Sequence, residues 1–196
     1  MKLNGPQFKR QQVLFFVPSF LILFIQNISI FWSHYSNKTF FPWDFVMIPY
    51  PVQVFWISAI NKGIFPHWIP FQSMGYPIAI AQTGIYYPAL WIFPILGIQY
   101  TLQASVVFQI LHIFVGSIGM FFLIRYLFKN SYYAIIVAIA FQFFGGFYAN
   151  AQHAEIFRAF AIAPWLFYVF TINIDKPTIS KNILFIPIVL YFLGTG

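Results

Sequence analysis

The chain has 196 residues, 61% of them hydrophobic and only 7% charged, against about a quarter charged in soluble domains. A soluble globular enzyme is therefore excluded in favour of an integral membrane protein. Ten basic residues against three acidic ones give a net charge of +7, but the basic residues are scattered beside apolar runs, which excludes the clustered patch of a nucleic-acid binder. With no cysteine present, disulfides and thiolate metal sites are excluded as well.

Lys2, Lys9 and Arg10 precede an apolar stretch from Val13 to Trp32. That is the length of a membrane crossing, about 20 residues, and no small-x-small cleavage site follows in Ser33-His34-Tyr35-Ser36-Asn37. It reads as a retained first span (13–32), not a signal peptide. A long segment rich in Pro, Gly, Trp and Tyr follows, over about 33–100. Within it, Pro49–Lys62 has the spacing of a short amphipathic helix, with Val52, Phe55, Trp56 and Ala59 on one face. Gly63, Pro66 and Pro70 stop it. Such a helix is expected to lie in the membrane interface, its aromatic face in the lipid boundary or against the bundle. Tyr87–Leu96, interrupted by Pro88 and Pro94, is too short to span.

Further spans are predicted at about 102–127, 132–148 and 159–174, with Asn150–Arg158 a polar connection. An incomplete one runs over 183–196, which reads as the N-terminal part of a longer protein. The expected fold is an all-α, polytopic transmembrane helix bundle carrying short interfacial helices on one long outer loop. Long uncharged runs, not alternation, disfavour a membrane barrel. Positive-inside bias sets the N-terminus in the cytoplasm. Lys2, Lys9, Arg10, Arg125, Lys129, Lys176 and Lys181 then lie inside, and Lys38, Lys62 and Arg158 outside. Asp44 and Glu155 both face outward in this topology, and Asp175 faces the cytoplasm.

Carboxylates so scarce in so apolar a chain are candidates for chemistry. Asp44, flanked by Trp43 and Phe45, suits a partly desolvated general base, or else a carboxylate solvated at the interface or paired with Lys38 or Lys62. Glu155 lies in Asn150-Ala151-Gln152-His153-Ala154-Glu155-Ile156-Phe157-Arg158. If a helix starts there, Glu155 and Arg158 can pair on its surface. Alternatively Arg158 or His153 meets a phosphate, to which a planar guanidinium donates two hydrogen bonds. Lys62 and His67 are further cationic candidates. Tyr76, Gln82 and Tyr86, with neighbouring glycines, suit a saccharide or isoprenoid surface as well as an aromatic belt. His112, inside a span, reads as an interhelical hydrogen-bond donor. His153-x-Glu155 alone is not a metal motif, so no metal ligands are assigned; a divalent metal is left open but not indicated.

The run from Pro42-Trp43-Asp44-Phe45 through Asn61-Lys62-Gly63-Ile64-Phe65-Pro66-His67-Trp68-Ile69-Pro70 is followed by Gly75-Tyr76-Pro77, Gln82-Thr83-Gly84 and Tyr86-Tyr87-Pro88. Together these resemble the first outer loop of the YfhO-like bacterial membrane proteins. Phe143-Phe144-Gly145-Gly146-Phe147, His153-Ala154-Glu155 and Ala163-Pro164-Trp165-Leu166 are similar to the same family, so that the resemblance covers about Trp43 to Phe170. These proteins are similar to the GT-C class of polytopic glycosyltransferases. The resemblance implies an enzyme of the bacterial cytoplasmic membrane that takes a sugar from a polyprenyl-phosphate-linked donor to a cell-envelope acceptor at the outer face. It implies Asp44 as the catalytic acidic residue, with the loop's short helices lying around the donor. Paired acidic residues are frequent in that loop, whereas here Trp43 stands beside Asp44, which leaves Asp44 working singly or with Glu155. The residues alone also admit a transporter or flippase of a lipid-linked or small anionic substrate, or a non-catalytic membrane scaffold. Mid-span charges would mark the former.

Overall fold

The computed structural model describes residues 6–80 and 85–175 together with Ile186, Ile188 and Val189, with side chains from Phe16 onward. Gln82, Lys2, Lys176 and Lys181, and all but those three residues of the expected 183–196 span, lie outside the described residues.

Among the described residues, four helical stretches form the bundle. The first, α1 (Pro6–Ile30), takes in the expected first span up to Ile30. Two four-residue helices, α2 (Trp32–Tyr35) and α3 (Asp44–Met47), and the longer α4 (Pro49–Asn61) follow. After a short ladder and two 3-10 turns come α5 (Ile92–Ile95), α6 (Leu102–Phe128), α7 (Ser131–Phe141), α8 (Gly145–Ala149) and α9 (Ala154–Asp175). The stretches 102–128, 131–149 and 154–175 are long and apolar enough to cross a membrane.

Caps explain the helix ends. Thr101 Oγ1 accepts the Ala104 N–H at 3.1 Å and starts α6, a side-chain cap for one of the first-turn N–H groups that lack a helical partner. Lys129, left-handed at φ 55°, ends α6. Asn130 Oδ1 then accepts the Tyr132 and Tyr133 N–H groups and begins α7, so the helices reverse within two residues.

The expected 132–148 span is found as the 131–149 stretch, interrupted where the N–H groups of Gln142, Phe143 and Phe144 bond back to residues 139–141 in a tight turn. Gln142 turns its amide inward there, its Nε2 donating to Leu23 O (3.0 Å) and Ser117 Oγ (3.3 Å), so the amide N–H groups are used where the helix breaks, while Oε1 is buried without a partner among the described residues. The expected polar connection 150–158 and span 159–174 also divide differently, since α9 already begins at Ala154 and takes in Glu155 and Arg158.

Contacts set the directions. Gln109 meets Arg158, Gly116 meets Ala161, Gly119 meets Trp165 and Tyr126 meets Asp175, so α6 and α9 run parallel. Phe16 packs on Phe121 and Phe31 on Tyr148, so α1 and the α7–α8 stretch run the opposite way. One end of the bundle, the loop end, therefore gathers the 31–101 segment, the start of α6 and the start of α9. Asp44 and Glu155 share that end, as the basic residues imply, and Asp175 lies at the other, accepting from Tyr126 Oη at 2.7 Å.

The loop segment has its own core. Val52, Trp56 and Ile57 of α4 bury against Ile69, Ile78, Tyr87, Leu90, Phe93 and Tyr100, each large side chain contributing roughly 1.5–3 kcal/mol. The buried face of α4 is thus Val52, Gln53, Trp56 and Ile57, with Phe55 and Ala59 only half-buried. The expected stripe is rotated because α4 packs on its own segment. The segment also departs from an all-α fold: β1 (Trp68–Ile69) and β2 (Tyr76–Pro77) pair antiparallel, Ile69 opposite Tyr76.

Candidate functional site

Asp44 opens α3 and is exposed. The residue before it, Trp43, is held at φ 54° with its ring 80% exposed, a conformation that costs a bulky L-residue about 1–3 kcal/mol. Phe41 and Phe45, both buried, clamp this turn from either side. Their rings meet at 5.3 Å, and Phe41 reaches Phe157 of α9 at 5.7 Å. The loop carrying Asp44 is in this way fastened to the start of α9, where Glu155 stands half-buried in the first turn. Beside it, His153 Nε2 lies 3.4 Å from the Gln152 amide. Phe41, Pro42, His34, Tyr148 and Phe157 line a cavity of about 210 Å3 at the same end. Burial lowers the His34 pKa below its ordinary value, which favours the neutral ring.

The expected surface pair of Glu155 with Arg158 is not formed. Arg158 faces the bundle interior with 0% exposure, because Ala154, Phe157, Ala161 and Ile162 on the same side of α9 pack inward with it. Its Nε donates to Gln109 Oε1 at 2.8 Å. The guanidinium carbon lies 5.1 Å from the Tyr87 ring centre and 5.4 Å from that of Phe108, within the range of cation–π attraction. Burial raises the Tyr100 pKa, and the charge of Arg158 pulls it the other way, so Tyr100 also lies in the field of this cation.

Around Arg158 the polar groups are buried and fixed. His112 Nδ1 lies 2.6 Å from Phe108 O, and Nε2 lies 2.6 Å from Tyr87 Oη. A carbonyl only accepts, so Nδ1 carries the proton. In the neutral ring Nε2 then accepts from the Tyr87 hydroxyl. His112 is therefore not the expected interhelical donor: it donates to Phe108 O within α6 and accepts from Tyr87 of the loop segment. Tyr100 Oη donates to Gln53 Oε1 at 2.7 Å.

The other expected site residues lie apart from this cluster. Lys62, at the end of α4, and His67 are exposed. Tyr76 Oη donates to Gln72 Oε1, and Gln72 Nε2 donates to Met47 O, so Tyr76 steadies the end of the helix that Asp44 begins. Tyr86 is exposed, whereas its neighbour Tyr87 is 0% exposed. The buried polar cluster instead takes in Tyr87, Gln109, Tyr100 and Gln53, none of which stands out by itself in the sequence. The available signal was the three-residue step from Tyr87 to Leu90 to Phe93, all buried.

Two cavities flank the cluster, both within the roughly 300–1,000 Å3 of ligand pockets. One, of about 570 Å3, is almost wholly apolar and lies between α6 and α9, walled by Phe108, Leu111, His112, Ile162 and Trp165. The other, of about 320 Å3, lies toward the loop end and is lined by Tyr50, Ser58, Asn61, Gln99, Tyr100 and Thr101. Tyr100 of the second leads through Phe93 (4.6 Å) to Phe108 of the first (5.4 Å). No three His, Asp or Glu side chains among the described residues form a metal-binding group.

Tyr87→Phe is expected to cost about 1–3 kcal/mol, because His112 Nε2 loses its buried donor, whereas Tyr86→Phe should be neutral. Thermal unfolding of both variants in nanodiscs checks this. No family model matches the chain, and no curated protein or solved structure matches it either.

Proposed function

We propose that the chain is a membrane-embedded glycosyltransferase of the GT-C kind, moving a sugar from a polyprenyl-phosphate-linked donor to an extracytoplasmic acceptor at the loop end of the bundle. The observation that carries this reading is an order of environments. An apolar cavity lies between α6 and α9, a buried guanidinium beside it, and an uncharged polar cavity toward the loop end. A lipid-linked sugar phosphate presents the same order of chemistry: apolar chain, anion, polyol. The family resemblance and the bias of basic residues support the orientation, with the loop end outside the bacterial cytoplasmic membrane.

In this mechanism Asp44 is the base. It takes the proton of an acceptor hydroxyl as that oxygen bonds to the anomeric carbon of the donor. The bond from that carbon to the phosphate oxygen breaks, its electron pair goes to the lipid phosphate, and configuration inverts. Arg158 stabilises the leaving phosphate, so no proton donor is needed there. Glu155, at the same end, orients the acceptor. Asp44→Asn should lower transfer from radiolabelled polyprenyl-phosphate sugars in membranes by at least about 100-fold, the usual weight of a general base, at equal abundance of protein. Undiminished transfer would remove Asp44 from the chemistry.

A second reading is favoured by the burial of Arg158. A cation inside a membrane-spanning helix is also what a translocator of a lipid-linked anion requires. A fluorescent polyprenyl phosphate that crosses the bilayer of proteoliposomes, without sugar transfer, would support this reading over the enzyme.

A further inference from the structure

We infer that the cavity between α4 and the 97–101 turn is a binding site for one uncharged pyranose ring. Its polar lining is made of hydroxyls, amides and phenols, on Tyr50, Ser58, Asn61, Gln99, Tyr100 and Thr101, and Val54 and Ile57 add an apolar wall. Amides and hydroxyls both donate and accept, as sugar hydroxyls do, so either partner can take either role. The rings of Tyr50 and Tyr100 lie 6.0 Å apart at 34°, and the half-buried Tyr50, with Val54 and Ile57, supplies apolar surface for the C–H side of a pyranose.

Half of this lining is pre-set. Tyr100 is 4% exposed, tied to Gln53 by its hydroxyl and edge-on to Phe93. Thr101 is held by its cap on α6. The inward face of α4 is locked by Val52, Trp56 and Ile57. Ser58, Asn61 and Gln99 stand exposed on the open side, able to turn toward a ligand. Gly97, at φ +64° and with nothing within 4 Å of where a Cβ would lie, leaves that wall open.

The absence of charge from the lining defines the sugar. A uronic acid or sugar phosphate brought here would exchange water for amides and phenols and find no cation among the lining residues, which penalises it. Lys62 follows Asn61 but is exposed and outside the lining. A neutral hexose or N-acetylhexosamine meets no such penalty. That this ring belongs to the substrate of the transfer rests on the function proposed above; the binding itself does not.

The test is saturation-transfer NMR on the chain in nanodiscs, with methyl α-glucopyranoside, methyl α-galactopyranoside and methyl N-acetyl-β-glucosaminide as neutral probes and methyl β-glucuronide as the charged one. The expected result is signal for at least one neutral glycoside and none for the glucuronide. Ser58→Trp, which fills the open side, should cut that signal at least fivefold, and so should Asn61→Leu, while Gly145→Ala, away from the cavity and with nothing within 4 Å of its added Cβ, leaves it unchanged. Signal that survives both cavity variants, or a glucuronide that binds as well as the neutral probes, overturns the inference, as does silence from all three neutral glycosides. Glycoside binding without sugar transfer from any donor would keep this site and remove the enzyme reading. Transfer that persists in Ser58→Trp would keep the enzyme and overturn the assignment of this ring to its substrate.

Discussion

Arg158→Gln should leave the bundle folded and lower sugar transfer by about 10- to 150-fold, the loss of a charge-assisted hydrogen bond of roughly 1.5–3 kcal/mol. The two readouts are expected to separate because the residue is buried. Neutral replacement of interior charge is often harmless or stabilising, since the desolvation cost of the ion disappears with it. Glutamine also keeps an amide N–H within the volume from which Arg158 Nε reaches Gln109. Thermal unfolding in nanodiscs should therefore stay within about 1 kcal/mol of the parent, an ordinary single-substitution effect. Arg158→Lys keeps the charge but loses the planar fork, so it should fall between the two. Full transfer by Arg158→Gln would take the phosphate away from this residue, and a collapse of stability would make Arg158 a structural group.

Gly116→Leu is expected to prevent α6 and α9 from closing. A Cβ at position 116 would lie 2.5 Å from Ala161 O and 3.0 Å from Ala161 Cα. Both are backbone atoms of α9, so no rotamer change relieves the contact, and the helices have to part. Overpacking by movable side chains costs about 1–3 kcal/mol; against backbone the cost should exceed that range. Glycines that let helices touch are a recurring device in membranes, where lipid tails compete with side chains for apolar contact. The Gln109–Arg158 bond lies on the same helix pair, so phosphate binding should fail together with stability. Gly145→Ala is the matching control: nothing lies within 4 Å of its added Cβ, and alanine in a helix should gain about 0.5–1 kcal/mol. Expression level and unfolding temperature in nanodiscs check both variants.

Much of this architecture was legible in the residues. Long uncharged runs gave the spans at α6 and α9, and the basic residues put Asp44 and Glu155 at one end, where the helix directions also place them. What escaped depends on partners distant in sequence. Asn150–Arg158 looks polar letter by letter, yet Arg158 lies inside because Gln109, 49 residues earlier, meets it. Helical spacing from Ala154 through Arg158 to Ala161 and Ile162 carried the hint. The break at Gln142 was hidden for the same reason, since Leu23 and Ser117 receive its amide. The uncharged cavity was invisible because α4 and the 97–101 turn are apart in the chain, and none of its residues is distinctive alone.

The parallel pairing of α6 with α9 bears on how the protein is made. A charged side chain left in lipid is costly, and Arg158, in the second turn of α9, leaves the ribosome after α6 and the loop segment have already been synthesised. By then Gln109, Tyr87 and Phe108 are in place to receive it. The order of the helices along the chain spares the insertion machinery from delivering a bare cation to lipid, with the earlier helix acting as chaperone to the later one.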